Sequence, residues 1–114
     1  MTSFSVSHVL PKKYFKDATL VAGEAGLSNQ IKWVHILETL KFEQLIHGNE
    51  LILTTGIQLT DEARFLRFVE QLIEQQVAGL CIELGTHVAQ IPTSVITLAN
   101  SAQFPILVFH EVVP

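Results

Sequence analysis

Apolar residues recur with two different periods along the chain, and the change of period predicts where helices and strands lie. The clearest helix runs from Thr60 to Gln76, where apolar residues recur every three or four positions opposite charged and amide side chains. Thr60 suits the N-cap, and Asp61 and Glu62 suit the positive end of the helix. The predicted apolar face consists of Phe65, Leu66, Val69, Leu72 and Ile73.

Short apolar runs bounded by glycine, proline and polar residues predict strands. The run Ile31–Leu37 is apolar at both alternating sets of positions, which is typical of a strand covered on both sides. Pro105 opens the predicted strand Ile106–Phe109, and proline is acceptable at the first position of a strand. The other predicted strands are Ala18–Ala22, Leu51–Thr54, Leu80–Leu84 and Ile106–Phe109.

Three further helical segments are predicted. A helix beginning at Pro92 has Val95, Leu98, Ala99 and Ala102 on its inner face. A helical turn over Ser7–Leu10 is stopped by Pro11. The spacing of Phe42, Leu45 and Ile46 predicts a short helix that Gly48 can close.

The order of these elements predicts the fold class. Strand, helix, strand, helix and strand follow one another in the second half, which predicts two right-handed crossovers and a parallel sheet. We therefore expect an α/β protein: a single small domain over residues 1–114, with a mostly parallel β-sheet flanked by helices through βαβ crossovers. The apolar ending Val112-Val113-Pro114 suggests a piece of a longer protein.

Composition narrows the class of partner and compartment. The chain has 114 residues, of which 48% are apolar and 16% charged, as in a folded domain. A net charge of -4 does not favour binding to phosphate backbones, and the cluster Lys12, Lys13 and Lys16 is typical of a solvated surface. No signal peptide and no apolar stretch of about 20 residues is present, so we expect a cytoplasmic protein without a membrane partner.

Motifs for catalysis or cofactor binding are absent from the sequence. There is no Gly-rich phosphate loop, and the five histidines lack the spacing of a metal site. Cys81 lies in an apolar run, where a thiol behaves as a small core residue. We predict no catalytic residues, no metal and no cofactor.

Candidate binding residues follow two of the predicted strands. Thr54, Thr55 and Gly56 end one strand, and Glu83 and Gly85 end another. Ligands of open α/β sheets tend to bind beyond the carboxyl ends of strands, so these residues are candidates for a ligand site. For the threonines and Gly56, a strand end followed by a turn is the favoured explanation. For Glu83, a structural role and a ligand-binding role are equally favoured.

Three further polar residues accompany apolar strands. His35 lies among apolar residues, which favours a core histidine with its hydrogen bonds satisfied over the alternative of a pH-sensitive or ligand-binding group. Glu38 and Glu111 each follow a strand and could add hydrogen-bond acceptors at the same edge of the sheet as the candidate residues above.

The order of these motifs resembles a known family. The motifs are, in order, Trp33-Val34-His35-Ile36-Leu37-Glu38, then Gly48-Asn49-Glu50-Leu51-Ile52-Leu53-Thr54-Thr55-Gly56, and then Val77-Ala78-Gly79-Leu80-Cys81-Ile82-Glu83-Leu84-Gly85. They are similar to the N-terminal domain of PucR-type (purine catabolism regulatory protein-like) transcriptional regulators. Family members commonly carry glycine where Asn49 stands. Asparagine also tolerates left-handed backbone angles, so we expect that turn to be preserved.

The resemblance implies a sensor or regulatory domain of a bacterial transcriptional regulator. It implies a small effector from purine or amino-acid catabolism, and DNA binding through a C-terminal helix-turn-helix domain that this chain lacks. It supplies no established binding residues, so the site prediction rests on the strand ends.

Two other functions remain open from the sequence. One is a dimerisation or docking module without its own ligand, indicated by the high apolar fraction and by Phe4, Phe15 and Phe68, which look exposed. The other is an enzyme using Glu83 and His35, although no nucleophile with a base and an orienting group can be identified.

Overall fold

A five-stranded, mostly parallel sheet organises the protein in a computed structural model that describes residues 4–9, 17–42 and 44–110. The strand order is β1-β5-β4-β3-β2. Strands β2 to β5 pair in parallel, and β1 pairs antiparallel with β5. This arrangement confirms the predicted α/β class. The strands are β1 (Thr19–Ala22), β2 (Trp33–Ile36), β3 (Glu50–Thr54), β4 (Gly79–Leu84) and β5 (Ile106–His110).

Within the described ranges, three α-helices accompany the sheet: α1 (Val6–Val9), α2 (Glu62–Glu74) and α3 (Thr93–Ser101). Asp61, one residue later than predicted, is the N-cap of α2, and its side chain accepts from the Ala63 amide at 2.8 Å. Pro92 occupies the N-cap position of α3. The described residues include no helix long and apolar enough to cross a lipid bilayer.

The two faces of the sheet have separate cores because side chains alternate along each strand. On one face, Ile52, Ile82 and Val108 pack in one cluster with residues of α2 and α3. On the other face, Leu51, Cys81 and Leu107 pack with residues of α1. Phe68 belongs to the first cluster and is buried, so its predicted exposure is wrong. Phe15 and the Lys12, Lys13 and Lys16 cluster lie outside the described residues.

The prediction that the Ile31–Leu37 strand is covered on both sides is wrong. β2 is an edge strand, and Trp33, Val34 and Ile36 are 61%, 51% and 73% exposed. An apolar run is compatible both with a buried strand and with an exposed edge strand, so the apolar pattern alone could not separate the two.

The helix predicted around Phe42, Leu45 and Ile46 does not form in the described part of this segment. Phe42 and Ile46 are buried, and Leu45 donates its amide to the Phe42 carbonyl at 2.8 Å in a single turn. The turn that follows has Gly48 at φ 104° and Asn49 at φ 65°. The expectation that Asn49 preserves this left-handed turn is confirmed.

Candidate functional site

The carboxyl ends of β2, β3 and β4 meet at one edge of the sheet because the three strands are parallel and adjacent. Glu38 comes two residues after β2, and Thr54 ends β3. The predicted residues Glu83 and Gly85 lie at the end of β4. We call this edge the carboxyl rim and define it by Glu38, Thr54, Thr55, Glu83 and Gly85.

The Glu38 carboxylate is held by two threonines at the centre of the carboxyl rim. Thr54 Oγ1 donates to one oxygen at 2.5 Å, and Thr55 Oγ1 donates to the other at 2.6 Å. The Thr55 backbone amide donates to both oxygens, at 3.0 and 3.2 Å. These charge-assisted hydrogen bonds tie the segment after β2 to the end of β3.

These contacts fix the ionisation of Glu38. Partial burial alone would raise the pKa of its carboxyl group, because desolvation disfavours the charged form. Hydrogen bonds from Thr54 and Thr55, together with attraction to His87, outweigh burial and hold the pKa below its usual value of 4.5. Glu38 is therefore a carboxylate at neutral pH.

Gly56 supports this arrangement through its backbone. Its amide donates to Thr54 Oγ1 at 3.1 Å, which leaves the Thr54 hydroxyl both donating and accepting. Its φ is 79°, and a Cβ at this position would stand 2.8 Å from Val88 Cγ2. The sequence placed Gly56 among possible ligand contacts, and the structure gives it a supporting position beneath the threonines.

Glu83 and Gly85 occupy the neighbouring strand end without joining the Glu38 hydrogen bonds. The half-buried Glu83 accepts from Thr86 Oγ1 at 2.9 Å and lies on the same sheet face as Cys81. Gly85 has φ 109° and donates its amide to the Val88 carbonyl at 2.9 Å.

His35 lies apart from the Glu38 cluster. It is half-buried on the sheet face that carries α2 and α3, and its partner in the parallel register is Ile52, two residues before Thr54. Since Glu83 is on the opposite face and β3 separates the two strands, His35 and Glu83 are not brought together. Glu111 lies outside the described residues.

A shallow apolar hollow of about 180 Å³ adjoins Glu38. Ile36, Leu53 and Phe109 supply its apolar surface, and Glu38, Thr54 and Thr55 form its polar margin. Apolar walls with a few fixed polar groups are typical of small-molecule sites.

The described part of the chain also lines two larger clefts elsewhere. One of about 340 Å³ opens at the amino ends of β4 and β5 and is lined mainly by the amide side chains of Asn29, Gln30, Asn49, Gln76 and Gln103. Another, of about 370 Å³, lies between the segments leading into α2 and α3. Neither holds a carboxylate bound as Glu38 is, so we favour the carboxyl rim despite its smaller hollow.

Glu50 is a structural residue that the sequence reasoning did not assign. Its side chain is 1% exposed, and its two carboxylate oxygens accept from the amides of His47 at 2.6 Å and Gly48 at 2.9 Å. A carboxylate directly after a Gly-Asn turn was the available signal, because such a turn leaves amides without partners.

The prediction that Cys81 is a core residue is confirmed. Its side chain is fully buried, and burial raises the pKa of the thiol to about 12. The thiol therefore stays protonated at neutral pH, and a nucleophilic role is disfavoured. Among the residues that the structure describes, no group of three or more His, Cys, Asp or Glu side chains could hold a metal ion.

Replacing Glu38 with glutamine is expected to destabilise the protein by about 1–2 kcal/mol at neutral pH, because charge-assisted hydrogen bonds become neutral ones. The folded pKa of Glu38 is lowered, so its stabilisation is present above the ordinary value of 4.5 and is lost as the pH falls through the folded pKa. Urea unfolding of both proteins from pH 7 to pH 3 measures this difference. The exposed Glu24→Gln is the control, and a difference independent of pH would contradict the assignment.

Comparison with known proteins gives two similarities. The family model described as "Purine catabolism regulatory protein-like family" matches residues 8–114. The chain is 33% identical over 98 residues to the purine catabolism regulatory protein of Bacillus subtilis (strain 168). This alignment covers 85% of the chain but 18% of the length of the Bacillus protein.

Proposed function

Because the chain belongs to the purine catabolism regulatory protein-like family, we propose that it is the regulatory domain of a bacterial transcriptional regulator. In this proposal, residues 1–114 form a cytoplasmic, non-catalytic N-terminal sensor domain. The sensor binds a small metabolite of purine or amino-acid catabolism and controls a separate C-terminal DNA-binding domain. The similarity to a curated regulator supports this role.

The ligand-binding part of this proposal rests on the Glu38 carboxylate, which lies beside an apolar hollow. Glu38 is held by two threonine hydroxyls and borders Ile36, Leu53 and Phe109. Fixed polar groups at the edge of an apolar surface can orient a flat, partly polar molecule. The proposed site comprises Thr54, Thr55, Glu83 and Gly85 together with Glu38, and Gly56 supports the threonines through its backbone amide. The predicted candidate His35 lies apart from this site, on the sheet face opposite the hollow.

The direction of the hydrogen bonds selects a class of ligand. Both threonine hydroxyls donate their protons to Glu38, so Thr55 Oγ1 presents lone pairs outward. The carboxylate likewise only accepts. The carboxyl rim therefore favours a ligand rich in N–H groups, such as a purine or a ureide, and disfavours an anionic carboxylate.

Regulation would follow from unequal affinity for two states. Glu38 links the segment after β2 to the end of β3, and a ligand whose N–H groups compete with Thr55 for the Glu38 carboxylate would change that link. A ligand shifts an equilibrium only by its difference in affinity for the two arrangements. The DNA-binding domain would respond to this shift.

A thermal-shift screen of purine-breakdown products, ureides and amino acids tests the proposal. A ligand at about 100 times its Kd stabilises the folded state by about 2.7 kcal/mol. We expect N–H-rich compounds to raise the Tm, and Thr55→Val, Glu38→Gln or Glu83→Gln to reduce that rise. The exposed Thr97→Val, on α3, is the matched control.

The outcomes distinguish whether the domain binds a ligand at all from where the ligand binds. A Tm rise that survives all three rim substitutions would place the ligand elsewhere and overturn the site. A folded protein that responds to none of the compounds would favour the alternative function, a dimerisation or docking module without its own ligand. The exposed apolar residues of β2 are the observation that supports this alternative.

A further inference from the structure

Among the residues that the structure describes, no strand pairs with the outer edge of β2, and this edge is apolar rather than protected by charges. β2 is the last strand in the sheet order, and Trp33, Val34 and Ile36 are all more than half exposed. Proteins commonly protect such edges with lysine, proline or inward-pointing charges, because free backbone groups can pair with another strand. The four residues of β2, Trp-Val-His-Ile, include none of these.

We propose that β2 pairs antiparallel with β2 of a second copy of this chain, centred on His35, so that two sheets join across a two-fold axis. This inference does not depend on the proposed ligand. The partner is a second copy because β2 and its flanking residues are complementary to the same segment in the opposite direction.

The register follows from the alternation of side chains. Directly opposed residues in an antiparallel pair point to the same face of the sheet, which restricts the two-fold axis to the level of a residue rather than between residues. Centring on His35 places Val34 opposite Ile36 twice. These two side chains share the sheet face that lacks α2 and α3.

Charge complementarity supports the same register. Centring on His35 places Lys32, just before β2, opposite Glu38, just after β2, at both ends of the paired segment. The two side chains carry opposite charges. Centring on Val34 would place Lys32 opposite Ile36. Centring on Ile36 would place Val34 opposite Glu38. Only the first register matches apolar with apolar and charge with opposite charge.

The first test is the dependence of molecular mass on concentration, measured by sedimentation velocity on the ligand-free 114-residue chain. We expect a monomer–dimer equilibrium that Ile36→Lys weakens by about tenfold or more, because it loses two apolar pairs and places lysine opposite Val34. Ile57→Lys is the matched control, since Ile57 is also exposed, at 49%, but lies outside β2. A strict monomer at all concentrations, or equal weakening by both variants, overturns the proposal.

Single cysteine substitutions test the register. We expect His35→Cys to form a disulfide-linked dimer under an added oxidant, and Val34→Cys and Ile36→Cys to do so only when mixed with each other. The buried Cys81 should not react. Self-linking of Val34→Cys or Ile36→Cys in place of His35→Cys overturns the register. Because no ligand is present in either test, failure here leaves the thermal-shift result unaffected, and the two proposals fail separately.

Discussion

Replacing Gly23 with alanine is expected to lower the stability of the protein more than any other single change considered. Gly23 has φ 74°, and a Cβ built there would stand 2.0 Å from the Phe104 carbonyl oxygen. Left-handed backbone costs about 1–2 kcal/mol for alanine. The new methyl group also meets rigid backbone rather than a side chain that can rotate away, and such overpacking adds about 1–3 kcal/mol.

A hydrogen bond from Gly23 joins two distant parts of the chain. Its amide donates to Asn100 Oδ1 at 2.7 Å, which ties the end of β1 to α3. We expect Gly23→Ala to lose about 2–5 kcal/mol in total and to lower the Tm by roughly 8–20 °C. Urea and thermal unfolding by circular dichroism measure both quantities.

Gly48→Ala separates the two causes of this loss. Gly48 also has positive φ, at 104°, but a Cβ there would come no closer than 3.4 Å to the Gln75 carbonyl oxygen. It should therefore lose only the backbone strain, about 1–3 kcal/mol. If Gly23→Ala were no more destabilising than Gly48→Ala, the close approach of Gly23 to Phe104 would be refuted.

The second large effect is expected for Glu50→Gln, at about 1–3 kcal/mol. Glutamine keeps the size of the side chain but offers one oxygen, so either the His47 or the Gly48 amide would face an NH₂ group in a buried site. The loss is limited because a buried neutral amide costs less to desolvate than a buried carboxylate. We expect a Tm decrease of roughly 5–15 °C.

The conservative control for Glu50 is Glu70→Gln, an exposed position on α2, which should change stability by less than about 0.5 kcal/mol. Amide hydrogen exchange gives an independent readout, because protection of the Gly48 amide should fall in Glu50→Gln. Unchanged stability together with unchanged exchange would show that the carboxylate does not hold this turn.

The regular elements were predictable because their signals are local. The helical spacing of Phe65, Val69 and Leu72 and the apolar run Leu80–Leu84 depend only on residues near in sequence, and the structure places α2 and β4 there. The βαβ order then restricted β3, β4 and β5 to a parallel arrangement. The left-handed turn at Asn49 was predictable for the same local reason.

The carboxyl rim was predictable only in part. Parallel strands place their carboxyl ends together, so Thr54 and Thr55 could be assigned to a common edge with Glu38 and Glu83 from the order of elements alone. The direction of each hydrogen bond could not be foreseen. It depends on the position of Glu38, which follows a different strand from the threonines.

The set of elements, the α/β class and the location of polar residues after strands follow from the order of residues alone. The exposed edge position of β2, the role of Glu50 in a turn, and the placement of His35 and Glu83 on opposite faces depend on how the elements pack together. Periodicity records which positions are apolar within one element. The neighbours of that element are set by contacts between residues far apart in the chain.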